Sequence, residues 1–262
     1  MERDSGCMAE SYDINRLRAK LGPMKLHFFA RLRSTNDHAA AMRKQRRLFA
    51  PAVVLTSHQT AGRGRGSNRW WSDESVMTAT FAFAAEENMP AGELPLIAGL
   101  AVRDAAAELT GCNDVQLKWP NDVLHDGRKI AGLLCERGDK LDLIGVGLNV
   151  NLDPAEAPRD LRAQVGSLLL LARKRIDPTE ALLVLASHLK KAMLARRKQP
   201  FGVFLREYEK HHALLGRRVT IQGEPGSPAI TGKVEGVDSH ARLLVRDLSV
   251  LHHVVAGHVV MS

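Results

Sequence analysis

Cysteine is scarce in this chain of 262 residues. The three that occur, Cys7, Cys112 and Cys135, lie far apart and form no Cys-x-x-Cys pair. That removes the spacing of a zinc site or a disulfide framework and fits a reducing compartment, with all three as structural thiols. Long apolar runs are missing too. None approaches the ~20 residues needed to cross a bilayer, and the polar start MERDSGCMAE has no signal-peptide hydrophobic region. A cytoplasmic protein without a membrane partner is expected. Residues 1–24 lack two apolar helical periods with a turn between them, which is too little for a helix-turn-helix DNA-binding domain.

What is present is ordinary in bulk and uneven in detail. An apolar fraction of 45% and a charged fraction of 25% are those of a globular protein, and the length suits one large domain or one with a small companion. The net charge of +8 invites a nucleic acid, a nucleotide or an acidic protein. Much of it lies in two runs, Arg43, Lys44, Arg46, Arg47 and Lys190, Lys191, Arg196, Arg197, Lys198, which fit the wet face of a helix better than a binding stripe.

The chemistry concentrates in Ser57–Ser72, SHQTAGRGRGSNRWWS. Gly62, Gly64 and Gly66 let backbone amides approach a ligand, and Arg63 and Arg65 offer permanently charged forks for carboxylate or phosphate oxygens. Similar runs occur in solvated linkers and in disordered RNA-binding segments. Here the apolar Val53, Val54, Leu55 before the run and Trp70, Trp71 after it favour a loop anchored in a folded domain.

Around that loop the pattern predicts strands at Lys25–Ala30, Ala52–Ser57 and Ser75–Phe83, and a helix after the capping trio Ser34, Thr35, Asn36. Glu93–Leu109 reads as a core helix and Val115–Trp119 as a strand that ends in Lys118-Trp119-Pro120-Asn121-Asp122. Pro120 forces a turn there. Lys118, Asn121 and Asp122 on that turn could bind a phosphate, a nucleotide and magnesium, or simply form an Asx turn with a surface lysine. Lys129 opens an apolar strand containing Gly132, an antiparallel strand follows over Leu141–Val146, and Gly145, Gly147 and Asn149 make a second glycine-marked segment. A loop over Asn151–Gly166 precedes a helix started by Asp177, Pro178 and Glu180, with Asp177 as cap and Glu180 completing a capping box. A short helix is expected over Phe201–His212. From about Leu215 five short β runs (218–222, 230–237, 243–247, 250–255, 258–261), punctuated by glycines that include Gly226, predict a small β barrel docked on the main domain.

The ordered set STN, GRGRGSNRWWS, KWPND and RKIAG resembles the biotin–protein ligases of the biotin/lipoate transferase superfamily, over nearly the whole chain from Lys25. The resemblance implies an α+β fold in which helices flank a mixed sheet, like the class II aminoacyl-tRNA synthetases, with a small SH3-like barrel at the C-terminus. The implied division is an extension over 1–24, a catalytic domain over 25–213 and the barrel over 214–262. The implied activity makes biotinyl-5′-adenylate from biotin and ATP with Mg²⁺, then passes biotin to a lysine of a biotin carboxyl carrier protein domain of acetyl-CoA carboxylase or a related carboxylase. By similarity Ser34, Thr35, Asn36 and Gln59 hold biotin, Arg63, Gly64 and Arg65 close over carboxylate and phosphates, and Lys129 bridges the two reacting anions. Lys118, Asn121 and Asp122 lie near phosphates, with Asp122 near the metal, while Gly132 and Gly145 line the biotin pocket. Lys129, Arg65 and Arg63 are the catalytic cations, since they neutralise charge without acting as nucleophiles. The chain departs from the family in having Gly66, Ser67 and Asn68 after Arg65, and in lacking the tryptophan that some members carry between residues 151 and 166. It also lacks the winged-helix domain of the repressor members, so no specific DNA partner is expected, and a homodimer stays open. Lipoate–protein ligase, a non-catalytic biotin sensor and a nucleic-acid-binding module are the competing readings.

Overall fold

The computed structural model describes residues 12–223 and 228–261; Cys7, the polar start and Gly226 lie outside them. A helix that the sequence reading did not anticipate comes first: α1 (Ile14–Lys20), capped by the Asp13 carboxylate accepting from the Arg16 amide at 2.9 Å. Its Leu17 is fully buried, and Leu21 and Met24 follow it into the core. One apolar stripe over seven residues is enough to seat a helix that packs on its neighbours, although it is too short to show two periods.

The main sheet takes β1 (Lys25–Leu32), β2 (Ala52–Gln59), β5 (Val76–Ala84), β6 (Gln116–Lys118), β7 (Asp122–His125), β8 (Arg128–Gly138) and β9 (Leu141–Asn149). The two-residue strands β3 (Gly62–Arg63) and β4 (Arg69–Trp70) pair as a small hairpin within the glycine loop. In space the seven strands run β1-β2-β5-β9-β8-β7-β6. Only β1 and β2 are parallel; every other neighbour is antiparallel. The sheet is mixed, as expected, and β7 is an added strand where only a turn was foreseen.

Side chains on a strand alternate between faces, and the two faces of this sheet have different employment. Phe81, Leu133, Ile144, Val146 and Leu148 share the large core with α3 (Leu94–Thr110) and α5 (Pro178–Lys198). On the other face α2 (Thr35–Lys44) covers Val54, Ala82 and Leu143 through Ala39 and Met42. Asp177 caps α5 as foreseen, accepting from the Thr179 amide at 2.8 Å. Glu180 does not close a capping box; its carboxylate pairs with Arg16 of α1. The basic runs are not wholly wet either. Arg196 donates to the buried Glu93 at 2.7 Å, and the Arg43 guanidinium lies against the backbone of Gly138.

After the short α4 (Leu168–Ala172), α5 and α6 (Phe201–Lys210), the C-terminal β runs form β10 (Arg218–Gln222), β11 (Ile230–Val237), β12 (Leu243–Asp247), β13 (Val250–Val254) and β14 (His258–Met261). They make one antiparallel sheet in the order β13-β12-β11-β10-β14, and among the described residues no pairing joins β13 to β14 to close a barrel. This sheet is docked on the main one through Trp119, which is buried and donates its indole N–H to the Ala241 carbonyl at 3.0 Å.

Candidate functional site

The site face is the α2 side of the sheet. Register places Gly132 opposite Gly147, Leu134 opposite Gly145, Thr78 opposite Gly147 and Thr80 opposite Gly145. These residues therefore form adjacent rows on one face, and the glycines leave it bare of side chains. What fills the space shows why glycine is required. A Cβ on Gly145 would meet Asn36 Oδ1 at 2.1 Å, and one on Gly147 would meet the Trp70 indole at 2.2 Å.

At one end of this floor lies a buried polar set. Ser34 caps α2, its hydroxyl accepting from the Asp37 amide at 3.3 Å, so the helix-start role is satisfied. The cap holds Thr35 and Asn36 over the sheet, both almost fully buried. The Thr35 amide donates to Gln59 Oε1 at 2.9 Å, and the Asn36 amide nitrogen donates to the Leu134 carbonyl at 3.0 Å. The Thr80 hydroxyl donates to Asn36 Oδ1 at 2.6 Å. Asn36 is thus locked in one orientation, with its carbonyl against Gly145.

At the other end the cations gather. Lys129 Nζ is 2.6 Å from Asp122 Oδ1 and 5.4 Å from the centre of the Trp70 ring. Its backbone is clamped as well: its amide donates to the Gln164 carbonyl at 2.7 Å, and its own carbonyl accepts from Gly166 and from the Asn149 side chain. Lys118 stands opposite Asp122 across β6 and β7. Burial first, and the Lys129 charge as well, hold the Lys118 ammonium below the usual lysine range, while Asp122 pulls the other way. Two ammonium groups therefore share one carboxylate, and the local balance is positive.

The two loop arginines differ. Arg63 is not free: its Nε lies 2.7 Å from Asp37 Oδ1 and its Nη2 2.9 Å from Glu136 Oε1. The expectation that it faces a ligand anion is met here by two protein carboxylates instead. Arg65 lies 5.9 Å over the Trp119 ring, half-buried, and desolvation alone lowers its pKa. Asn121, expected near phosphate, donates its amide to the Leu133 carbonyl at 2.7 Å and so serves the turn itself. Asp122, expected near a metal, is engaged by Lys129. Among the described residues no group of three or more His, Cys, Asp or Glu side chains could cage a metal ion.

Four participants were not assigned to the site from the sequence: Trp70, Thr80, Glu136 and Gly147. The Gly-x-Gly spacing of Gly145 and Gly147 carried the period of a bare strand face, but its pairing with Gly132 needs the register. Trp70 was visible as an anchor, while its resting place on Gly147 and Gly132 was not.

Residues 28–153 match the biotin/lipoate A/B protein ligase family and residues 214–262 the biotin protein ligase C terminal domain. A biotin--[acetyl-CoA-carboxylase] ligase of Mycobacterium tuberculosis is 31% identical over 230 residues, which cover 85% of this chain and 83% of the relative. One from Paracoccus denitrificans is 30% identical over 227 residues, covering 83% of this chain and 92% of the relative. Among solved structures, the biotin protein ligase from Aquifex aeolicus in complex with biotin and ATP superposes with a TM-score of 0.80 at 26% identity, over 91% of this chain and 99% of that one. With both parts of the chain matched and two relatives aligned over most of their length, this protein belongs to the biotin/lipoate A/B protein ligase family.

Proposed function

We propose that this chain is a biotin–protein ligase, which joins biotin to ATP as biotinyl-5′-adenylate and then delivers biotin to a lysine of a carboxylase carrier domain. In the first step a biotin carboxylate oxygen attacks the α-phosphorus and pyrophosphate leaves. In the second the acceptor amine attacks the mixed-anhydride carbonyl and AMP leaves. The first step brings two anions together, so the enzyme must supply fixed positive charge that does not itself react.

The single observation that carries this reading is the bare glycine floor between a locked amide and an excess of cations. The floor is shallow enough to take a ring, as the Trp70 indole lying on Gly147 and Gly132 demonstrates, and a ligand ring enters beside or in place of that indole; Asn36, Thr35 and Gln59 supply polar partners at one end. Lys129 and Lys118, with only Asp122 between them, face the anionic end. Among the described residues Arg65 has no carboxylate partner, and it is half desolvated, which strengthens its pull on an anion. Arg63 can serve once the loop shifts its bonds from Asp37 and Glu136 to a ligand. Magnesium enters with the nucleotide: one carboxylate and the phosphates suit an ion that keeps most of its water, and when bound it offsets phosphate charge. The catalytic unit in this reading includes α1, supported by the burial of Leu17, and the acceptor is a biotin carboxyl carrier domain.

Incubating the protein with ATP and magnesium and either biotin or lipoate, then following pyrophosphate release and label transfer to an acceptor domain, tests the proposal. Release with lipoate and none with biotin would overturn it.

A further inference from the structure

The strand β6 and the turn after it carry Lys118, Asn121 and Asp122, yet β6 is only three residues long and lies at the edge of the sheet. An edge strand that short needs support from outside. Besides α3, which packs on Leu117, β6 has two supports that lead to the C-terminal unit. The Leu117 amide donates to the His211 carbonyl at 2.8 Å and the Leu117 carbonyl accepts from the Ala213 amide at 2.9 Å, so the segment entering the C-terminal sheet pairs with the free side of β6. The Trp119 indole donates across to Ala241. A cavity of about 150 Å³ separates the two units beside that bond, with Arg65, Trp119 and Asn121 on one wall and His240, Ala241 and Arg242 on the other.

Ala241 could not present its carbonyl there unaided. It is a non-glycine residue at φ 62°, in the left-handed region that side chains disfavour. Asp238 holds it: its carboxylate accepts from the His240 amide at 2.9 Å, the Arg242 amide at 3.0 Å, Arg242 Nε at 2.7 Å and His253 Nδ1 at 3.0 Å. The bonds to His240 and Arg242 grip Ala241 from both sides in sequence, and His253 braces the carboxylate from β13. They also keep the Asp238 carboxyl well below the usual carboxylate range despite the opposing effect of burial.

We infer that Asp238 is a positioning residue for nucleotide binding, acting through the Ala241 carbonyl and the Trp119 indole to set the pose of the Lys118–Asp122 turn. This deepens the ligase reading and rests on it. Asp238 touches no reacting atom. It fixes a carbonyl, the carbonyl fixes a buried ring, and the ring is flanked by the residues facing the nucleotide phosphates.

The test is steady-state adenylation by the full-length chain, with KM measured separately for ATP and for biotin. Asp238→Asn should raise KM for ATP about tenfold while leaving KM for biotin within twofold. Trp119→Phe keeps an aromatic ring in the core and under Arg65 but removes the indole donor, and should show the same split, so a folding failure of the first variant leaves the question answerable. Because the two changes break one connection, the double variant should be little worse than either single one. Unchanged KM for ATP in Trp119→Phe, equal rises in both KM values, or effects that multiply in the double variant would each overturn the inference. A wild-type chain that releases no pyrophosphate would instead sink the ligase reading.

Discussion

The glycine loop and the Lys118–Asp122 turn bring cations to the same sheet by opposite means. The loop has no fully buried residue and is held by a two-residue hairpin, the Thr60 and Ala61 amides on the Leu32 and Arg33 carbonyls, the Gly64 amide on the Asn68 carbonyl, and the Arg63 carboxylate pairs. The turn is framed by β6 and β7 and fastened by Trp119. A segment with few buried contacts opens at low free-energy cost, whereas one seated in a core does not. The loop is therefore the part that can close over a ligand, and the turn is the part against which it closes.

Several measurements would break or sharpen that contrast. The largest effect should come from Lys129→Ala, which removes the cation between turn and floor: pyrophosphate release should fall by about 10³-fold while the melting temperature barely moves. A wild-type rate would show that the fixed side supplies no essential charge. Next comes acid stability on the turn side. Both ring nitrogens of His212, beside β6, are buried without a hydrogen-bond partner among the described residues, and burial lowers its pKa to about 4. The native imidazole stays neutral while the unfolded one takes a proton below its ordinary 6.5, so stability is full above that pH and falls as pH drops towards 4. The loss is at most about 3 kcal/mol. Urea midpoints at pH 7 and pH 4.5 should differ by less in His212→Phe than in wild type; equal differences would show that this end of the sheet is wetter than its packing indicates.

Within the loop, Arg65→Ala should reduce kcat/KM for adenylation by roughly 10–150-fold, the worth of one charge-assisted hydrogen bond at about 1.5–3 kcal/mol. Arg63→Ala should cost less, because ligand binding must first free that side chain from Asp37 and Glu136. The reverse ranking would mean that those carboxylates release it early. The smallest effect belongs to Gly66→Ala. Gly66 has φ +64° and open space where a Cβ would go, so the penalty is backbone strain alone, about 1 kcal/mol, felt as a weaker ordered loop and a modest rise in KM for biotin.

Strand and helix positions were largely legible, because apolar periodicity and capping residues act locally: Ser34 and Asp177 cap where they were expected to. The misses have a common cause. α1 carries a single apolar stripe, Glu180 turns to Arg16 rather than to its own helix, and Arg196 is drawn inward by Glu93. Each was decided by a partner more than 100 residues away. The site was half legible for the same reason. Lysines, glycines and arginines stood out as types, whereas Thr80 and Glu136 are unremarkable until β5 and β8 lie beside α2.

By itself, then, the sequence determined which segments become strands and helices, which loop carries conformational freedom and positive charge, and which family pattern those residues follow, since all of these depend on neighbours within a few positions along the chain. Only the tertiary structure decided that Arg63 is paired with two carboxylates while Arg65 lies over Trp119, that Trp70 rests on a glycine floor, and that the C-terminal sheet fastens the Lys118–Asp122 turn. Those outcomes depend on which distant groups share a buried space, and register and burial are set by the whole fold.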